Sequence, residues 1–368
     1  MDRRDFVKKA AVALTAAASS SLFPRSAWGE FAPKKILVLG GTFFLGPALV
    51  EALVADGHAV TLFNRGVTNP ELFPHLEKLR GFRSADANDQ DLSALSRRHF
   101  DVIVDVWPND PEVVSSAAEF LKDRAQHYLY VSSVAAYDSK EFAKASIEEG
   151  APMEPFSGTG RTYNRNKAES ERRLNRIVGE RLTIVRPGPI KGRRDDTPDL
   201  LTWLLRMQRG GTHIAPGDGN DPVELVDVKD VARFLVLAVR QSLYGLYNLA
   251  GKAIPFREFL EACKTATGSD AKLVWVPKDF LHQQGLDPDS VLHVFAGNFP
   301  FWRPDPNNAG IYRASSEKAF RAGWRTRAFE ETAWDCLDDY YSAHVMGESG
   351  FLSAAKEKEV LQAWEARA

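Results

Sequence analysis

The run Ile36-Leu37-Val38-Leu39-Gly40-Gly41-Thr42-Phe43-Phe44-Leu45-Gly46, followed at once by the apolar-periodic residues 47–55, puts a buried strand, a glycine turn and a helix start into one short stretch. A strand of aliphatic and β-branched residues suits the centre of a parallel sheet covered on both faces. Glycines at such a turn let the backbone approach a pyrophosphate held at the helix N-terminus. The rhythm repeats along the chain. Strand patterns at 59–63, 102–106, 128–132 and 182–186 alternate with helical patterns at 92–97, 111–122 and 162–178. This alternation predicts an α/β fold, a doubly wound parallel sheet of the Rossmann kind. After Arg186, Pro187, Gly188, Pro189 and Gly192 break the rhythm. Residues 34–190 are therefore read as a dinucleotide-binding domain and 191–346 as a smaller substrate lobe. A strand at 245–250 is expected to return to the main sheet, and 347–368 to form a polar C-terminal helix.

The N-terminus reads as a twin-arginine export signal. Arg3-Arg4, Phe6 two positions on, the apolar stretch 10–23 and Ala27-Trp28-Gly29 coincide in the expected order, which places cleavage after Gly29. The apolar stretch is too short, and too polar at Ser19 to Ser21, for a stable membrane anchor. The twin-arginine export machinery is thus an expected partner and the periplasm or another extracytoplasmic space the expected location. That route carries folded proteins, so any cofactor would be loaded in the cytoplasm. Only Cys263 and Cys336 occur, both in helical patterns, so no disulfide framework is expected and each reads as a small core residue. The net charge of −2 leaves no footprint for nucleic acid.

Tyr163 and Lys167 stand four apart on a helical pattern, one turn, so both project from one face. A free tyrosine, with a pKa of about 10, is a poor base at neutral pH, and a neighbouring ammonium favours its phenolate. Such a pair suits proton transfer. Ser132-Ser133 closes an earlier strand and offers a hydroxyl to a substrate oxygen. Asn64 closes the second strand, where a carboxylate would hold an adenosine ribose hydroxyl. Asn can still bond a hydroxyl and the following Arg65 can pair with a 2′-phosphate, so NAD or NADP is expected, with a slight lean to NADP.

Taken together, the glycine turn, the strand-end serines and Tyr163-Asn-Arg-Asn-Lys167 resemble the extended short-chain dehydrogenase/reductase superfamily, which includes NAD-dependent epimerases and dehydratases. The resemblance covers residues 34 to about 340 and is strongest before Gly192. It implies a TGxxGxxG turn, whose glycines fall on Gly40, Phe43 and Gly46; the middle glycine is missing. It assigns Gly40, Gly41, Thr42, Phe43, Phe44, Leu45, Gly46, Asn64, Arg65, Asp86, Ala87 and Pro187 to the cofactor, Asp86 and Ala87 meeting the adenine edge. Counting back four from Tyr137 makes Ser133 the catalytic serine, beside Tyr163 and Lys167. Superfamily members often dimerise through helices, which leaves a homodimer open.

Two departures narrow the chemistry. Val134-Ala135 stands where 4,6-dehydratases carry Asp-Glu, and Pro189 stands where nucleotide-sugar enzymes commonly place a substrate-binding asparagine three residues after the arginine, here Arg186. Trp107 and Asn109 are candidates for the substrate pocket, while Asp227 and Asp230 read as helix-capping groups. The expectation is an exported NAD(P)-dependent oxidoreductase or epimerase acting on a hydroxyl or keto carbon of a sugar-like molecule. The alternative is a catalytically inactive binding protein like the atypical branch that includes chloroplast stem-loop-binding proteins, where bulky residues also enter a GGTxFxG turn.

Overall fold

The computed structural model describes residues 32–86, 88–106, 110–156, 162–286, 298–304, 312–343 and 352–367. The expected export signal at 1–29, Ala87, Trp107 and Asn109 lie outside the described residues.

The five apolar runs noted above form β1 (Lys35–Leu39), β2 (Ala59–Asn64), β4 (Phe100–Asp105), β5 (Ala125–Val131) and β6 (Leu182–Pro187), and the polar β3 (Glu77–Arg80), which the sequence did not announce, adds a sixth strand. Two-residue strands β7 (Ile190–Lys191), β9 (Pro222–Val223), β10 (Val226–Asp227) and β12 (Ile254–Pro255) and the longer β8 (Thr212–Pro216), β11 (Gly245–Leu249) and β13 (Lys272–Val276) follow. Seven strands pair in the order β11-β6-β5-β4-β1-β2-β3, every pair parallel. As expected, β11 rejoins the main sheet, beside β6.

The helices are α1 (Leu45–Ala55), α2 (Pro111–Leu121), α3 (Tyr163–Val178), α4 (Asp199–Arg209), α5 (Val228–Gln241), α6 (Phe256–Thr267), α7 (Lys278–Gln283), α8 (Glu317–Arg321), α9 (Phe329–Ala343) and α10 (Ala354–Glu365). Side chains of β1 alternate between two cores. Ile36 and Val38 pack with Leu49 of α1 and Phe234 of α5, and Leu37 and Leu39 pack with Val114 of α2 and Leu174 of α3. Period-two alternation with both faces apolar is what a sheet sandwiched between helices requires.

One expected helix is missing. Residues 92–97 form only a single 3₁₀ turn, Ser93–Leu95, because the chain must straighten into β4 at Phe100. Asp91 starts that turn by accepting from Ser93 N at 3.1 Å.

The smaller lobe gathers α4, α6, α9, α10 and the parallel pair β8–β13 around Trp203, Phe256 and Phe259. Its C-terminal helix is docked by charge. Glu357 of α10 accepts from Ile214 N at 2.9 Å, pairs with His213 at 3.0 Å and meets Arg206. Those partners hold its carboxyl down at about 2 despite burial. Asp227 caps α5 by accepting from Lys229 N at 2.7 Å, and Asp230 accepts from Arg327 N at 2.8 Å. Cys263 and Cys336 are buried free thiols in this core. Among the described residues no helix is long and apolar enough to cross a membrane.

Candidate active site

Strand order reverses between β1 and β4, and at such a point the carboxyl ends of the strands leave a crevice. A cleft of about 1210 Å³ opens there, lined by the turn after β1, the segments after β2 and β3, the end of β5, the start of α3 and the segment after β6.

The glycine turn is built for close approach. Gly40 and Gly41 adopt φ of +109° and +93°, a region open to glycine. At Gly46 a Cβ would stand 2.7 Å from Gly41 Cα, so the helix start and the turn touch backbone to backbone. No side chain caps α1, and its first turn carries no acidic residue. A cradle of this shape at an uncapped helix N-terminus fits the pyrophosphate of a dinucleotide.

Thr42, Phe43, Phe44, Leu45 and Gly46 all line the cleft. Phe44 takes φ +45° and packs inward on the core, whereas the Phe43 ring is turned out into the cleft.

Asn64 and Arg65 also line the cleft, but the Asn64 amide is engaged by the protein itself. Its Nδ2 donates to Gly40 O at 3.0 Å, and its Oδ1 accepts from Gly66 N at 3.0 Å and from Arg80. The structure therefore gives Asn64 the task of bracing the turn. Asp86 is not among the cleft residues. Because β3 already ends at Arg80, Gly81, Phe82 and Arg83 face the cleft, and Asp86 sits further on in an exposed turn, accepting from Asn88 N at 2.8 Å. Arg83 is locked to the buried Asp105 at 2.8 Å.

The three expected catalytic residues come together. Ser133 caps the short turn after β5, its Oγ accepting from Ala135 N at 3.1 Å, and its hydroxyl lies close enough to the Tyr163 hydroxyl to favour the phenolate. Thr162 caps α3 through Arg165 N, which fixes where Tyr163 begins the helix. Lys167, one turn on, donates from Nζ to Val131 O at 2.7 Å and lies 5.8 Å from the centre of the Tyr163 ring.

The Tyr163 side chain is exposed to the cleft, but desolvation at its hydroxyl end pushes the pKa up, opposed in part by Ser133. Burial pulls Lys167 down to about 7, against the pull of Asp105 and Glu171 in the other direction. The lysine expected to favour the phenolate thus itself stands near the edge of losing its charge. Ser132 is diverted elsewhere: it donates to Glu171, whose carboxylate holds Arg186 through Nε at 2.9 Å and Nη2 at 2.5 Å. Arg186 in turn lies over the Tyr137 ring at 4.2 Å.

Several cleft residues escaped sequence reasoning. Lys191 pairs with Asp195 at 3.2 Å and Asp199 at 2.9 Å, and Arg303 donates from Nε to Tyr312 at 2.9 Å. The four-residue spacing of Lys191, Asp195 and Asp199 was the available signal; Arg303 offered none. Pro187 and Gly188 form a wall of the cleft, and behind it lies the fully buried Glu224. A Cβ on Gly188 would stand 2.3 Å from Glu224 Oε2. Burial raises the Glu224 pKa to about 8, opposed by the hydrogen bond from Gly251 N.

Fold and cleft together define a Rossmann-type, dinucleotide-binding protein. A sequence profile of the NAD dependent epimerase/dehydratase family matches residues 36–250, and the chain belongs to that family. The Chloroplast stem-loop binding protein of 41 kDa b from Arabidopsis thaliana is 31% identical over 268 residues, covering 67% of each chain. Putative UDP-arabinose 4-epimerase 4 of the same plant is 25% identical, covering 66% of this chain and 67% of its own. Among solved structures, UDP-glucose 4-epimerase from Thermotoga maritima superposes with a TM-score of 0.60 at 19% identity, covering 84% of this chain and 99% of that one. UDP-glucuronic acid 4-epimerase from Bacillus cereus, solved in complex with NAD, gives 0.59 at 17% identity over the same shares. These structural likenesses concern the fold. The family is NAD-dependent, and the glycine cradle suits that cofactor.

Proposed function

We infer that this chain is an exported NAD(P)-dependent oxidoreductase of the epimerase type, acting on a hydroxyl or keto carbon of a sugar-like substrate. The observation that carries the reading is the convergence of Ser133, Tyr163 and Lys167 on the same cleft as the glycine cradle. Ser133 holds the substrate oxygen. Tyr163, neutral with its pKa raised by desolvation of the hydroxyl, gives a proton to that oxygen or recovers one from it through Ser133. Lys167, anchored on Val131 O and with its pKa lowered to about 7, supplies positive charge beside the phenol in its protonated form. The dinucleotide, when bound, takes up and returns hydride at the carbon bearing that oxygen.

Export and cofactor economy favour an internal redox cycle. Free dinucleotide is scarce outside the cytoplasm, so a cofactor reduced and reoxidised within one turnover avoids stalling. Activated nucleotide sugars are scarce there too, and Pro189 removes an asparagine that commonly contacts them, which favours a free sugar, glycoside or polyol. A second reading, a binding protein without hydride chemistry, draws support from the Phe43 ring in the turn and from the similarity to a stem-loop binding protein.

The test adds a broad panel of sugars and polyols to cofactor-loaded protein and follows both nicotinamide absorbance, which reports net oxidation, and the appearance of epimeric product, which reports a closed redox cycle. Wild type should react, and Tyr163→Phe should keep its cofactor and stability while turnover falls by about a hundredfold or more. A Tyr163→Phe protein reacting as fast as wild type, or a wild type inert to the whole panel, would transfer the case to the binding-protein reading.

A further inference from the structure

Large exposed apolar side chains are few among the described residues: Phe43, Val67, Phe82, Phe156, Tyr163 and Tyr244. Four of these six line one cleft. Tyr163 has its task at the α3 end. Phe43, Val67 and Phe82 remain 55%, 71% and 39% exposed, and they come from the segments following β1, β2 and β3 respectively. These strands lie in that order away from β5, whose end carries Ser133, so the three side chains share the part of the cleft remote from the proton-transfer residues. With hydride chemistry at Tyr163, that remote part receives the adenosine half of a dinucleotide.

The residues are also tied to a common frame. Asn69 Nδ2 donates to Thr42 O at 2.8 Å, which joins the Val67 segment to the turn bearing Phe43. Asn64 makes a second tie, from its Nδ2 to Gly40 O at 3.0 Å, and its Oδ1 holds Gly66 N. Within the turn, Gly46 N donates to Phe43 O at 2.9 Å. Phe44 packs against the core, while its neighbour Phe43 stands exposed at the cleft.

We propose that Phe43, together with Val67, closes over the adenosine half of the bound dinucleotide and acts as a clasp that slows its release. The phenyl ring replaces the glycine that would leave this side of the pyrophosphate open to water. Covering its exposed face against the ligand removes apolar area from water, and an aromatic face is well suited to a sugar or base surface. The clasp serves a protein that must keep one cofactor through many turnovers. This proposal rests on the reading that a dinucleotide is bound, and its test separates the two.

Wild type, Phe43→Ala and Phe43→Gly are loaded with reduced nicotinamide dinucleotide, freed of excess, and mixed with an enzyme trap that consumes whatever is released; the loss of nicotinamide fluorescence reports the dissociation rate. Both variants should release at least about tenfold faster than wild type, equivalent to about 1.4 kcal/mol, with the melting temperature of the empty protein preserved. Equal rates would overturn the clasp and leave dinucleotide binding intact. Slower release or tighter binding in the variants would also overturn it, since the ring would then be an obstruction. Failure of wild type and both variants to retain any dinucleotide would overturn the clasp and the cofactor reading together.

Discussion

Replacing Glu171 by Gln removes one negative charge from the middle of α3 and nothing else of comparable size. Both carboxylate oxygens are committed: Oε1 accepts from Ser132 and from Arg186 Nε, and Oε2 accepts from Arg186 Nη2. The two charged side chains are each only 2% exposed, so the discount that makes surface ion pairs nearly worthless does not apply. With Gln in place, the Arg186 guanidinium remains buried against Tyr137 with no anion and an amide donor facing it. Breaking a buried pair in this way costs about 3–5 kcal/mol, a large share of the roughly 5–15 kcal/mol that holds a typical domain folded.

Urea unfolding of wild type and Glu171→Gln, extrapolated to water, measures the loss. The double change Glu171→Leu with Arg186→Leu should recover most of it, because no orphaned charge is left. A loss below about 1 kcal/mol for Glu171→Gln would refute the argument. The substitution also reaches Lys167, whose pKa Glu171 raises. Without that carboxylate the lysine pKa falls below about 7. Because the native pKa already lies under the ordinary 10.5, the unfolded chain binds a proton that the native one has released, and stability from this group rises with pH from about 7 upward. In Glu171→Gln that rise should begin at lower pH.

Gly46→Ala drives a methyl to 2.7 Å from Gly41 Cα, so stability should fall by about 1–3 kcal/mol and dinucleotide affinity with it; unchanged calorimetric binding would contradict the close-approach argument. Arg65→Ala should weaken NADP binding more than NAD binding, and equal losses in titration would return Arg65 to a surface role. Glu224 has a native pKa raised to about 8 from 4.5, so the native chain binds the extra proton and wild type loses stability as pH rises between those values. Glu224→Gln should flatten that part of the melting-temperature profile, and an unchanged slope would count against a neutral Glu224. A reporter fused after residues 1–29 should be exported through the twin-arginine route and stay in the cytoplasm when Arg3 and Arg4 become Lys; export of the changed fusion would remove the assignment.

The parallel sheet was legible because its strands are continuous apolar runs, a pattern that only burial on both faces explains. The pair Tyr163 and Lys167 was legible through its one-turn spacing, whereas Glu171, one turn further on, showed its role only through its contacts with Ser132 and Arg186. Asp86 falls outside the cleft lining because strand ends are the least determined part of such a pattern: β3, Glu-Lys-Leu-Arg, is too polar to mark where it stops. Asn64 was read as facing ligand, but its side chain found backbone partners that adjacent sequence could not reveal, namely Gly40 O across the sheet. Arg303 and Glu224 reach the cleft region by tertiary packing of the smaller lobe, and nothing local announces them.

The return of β11 to the main sheet sets a rule for anyone wishing to build chimeras from this family. A fragment ended after β7 would leave β6, buried along its whole length, as a bare edge of unpaired N–H and C=O groups, and such an edge recruits other chains. Exchange of the substrate lobe between relatives should therefore carry the segment through β11 as part of the recipient's sheet, with crossovers placed on either side of that strand.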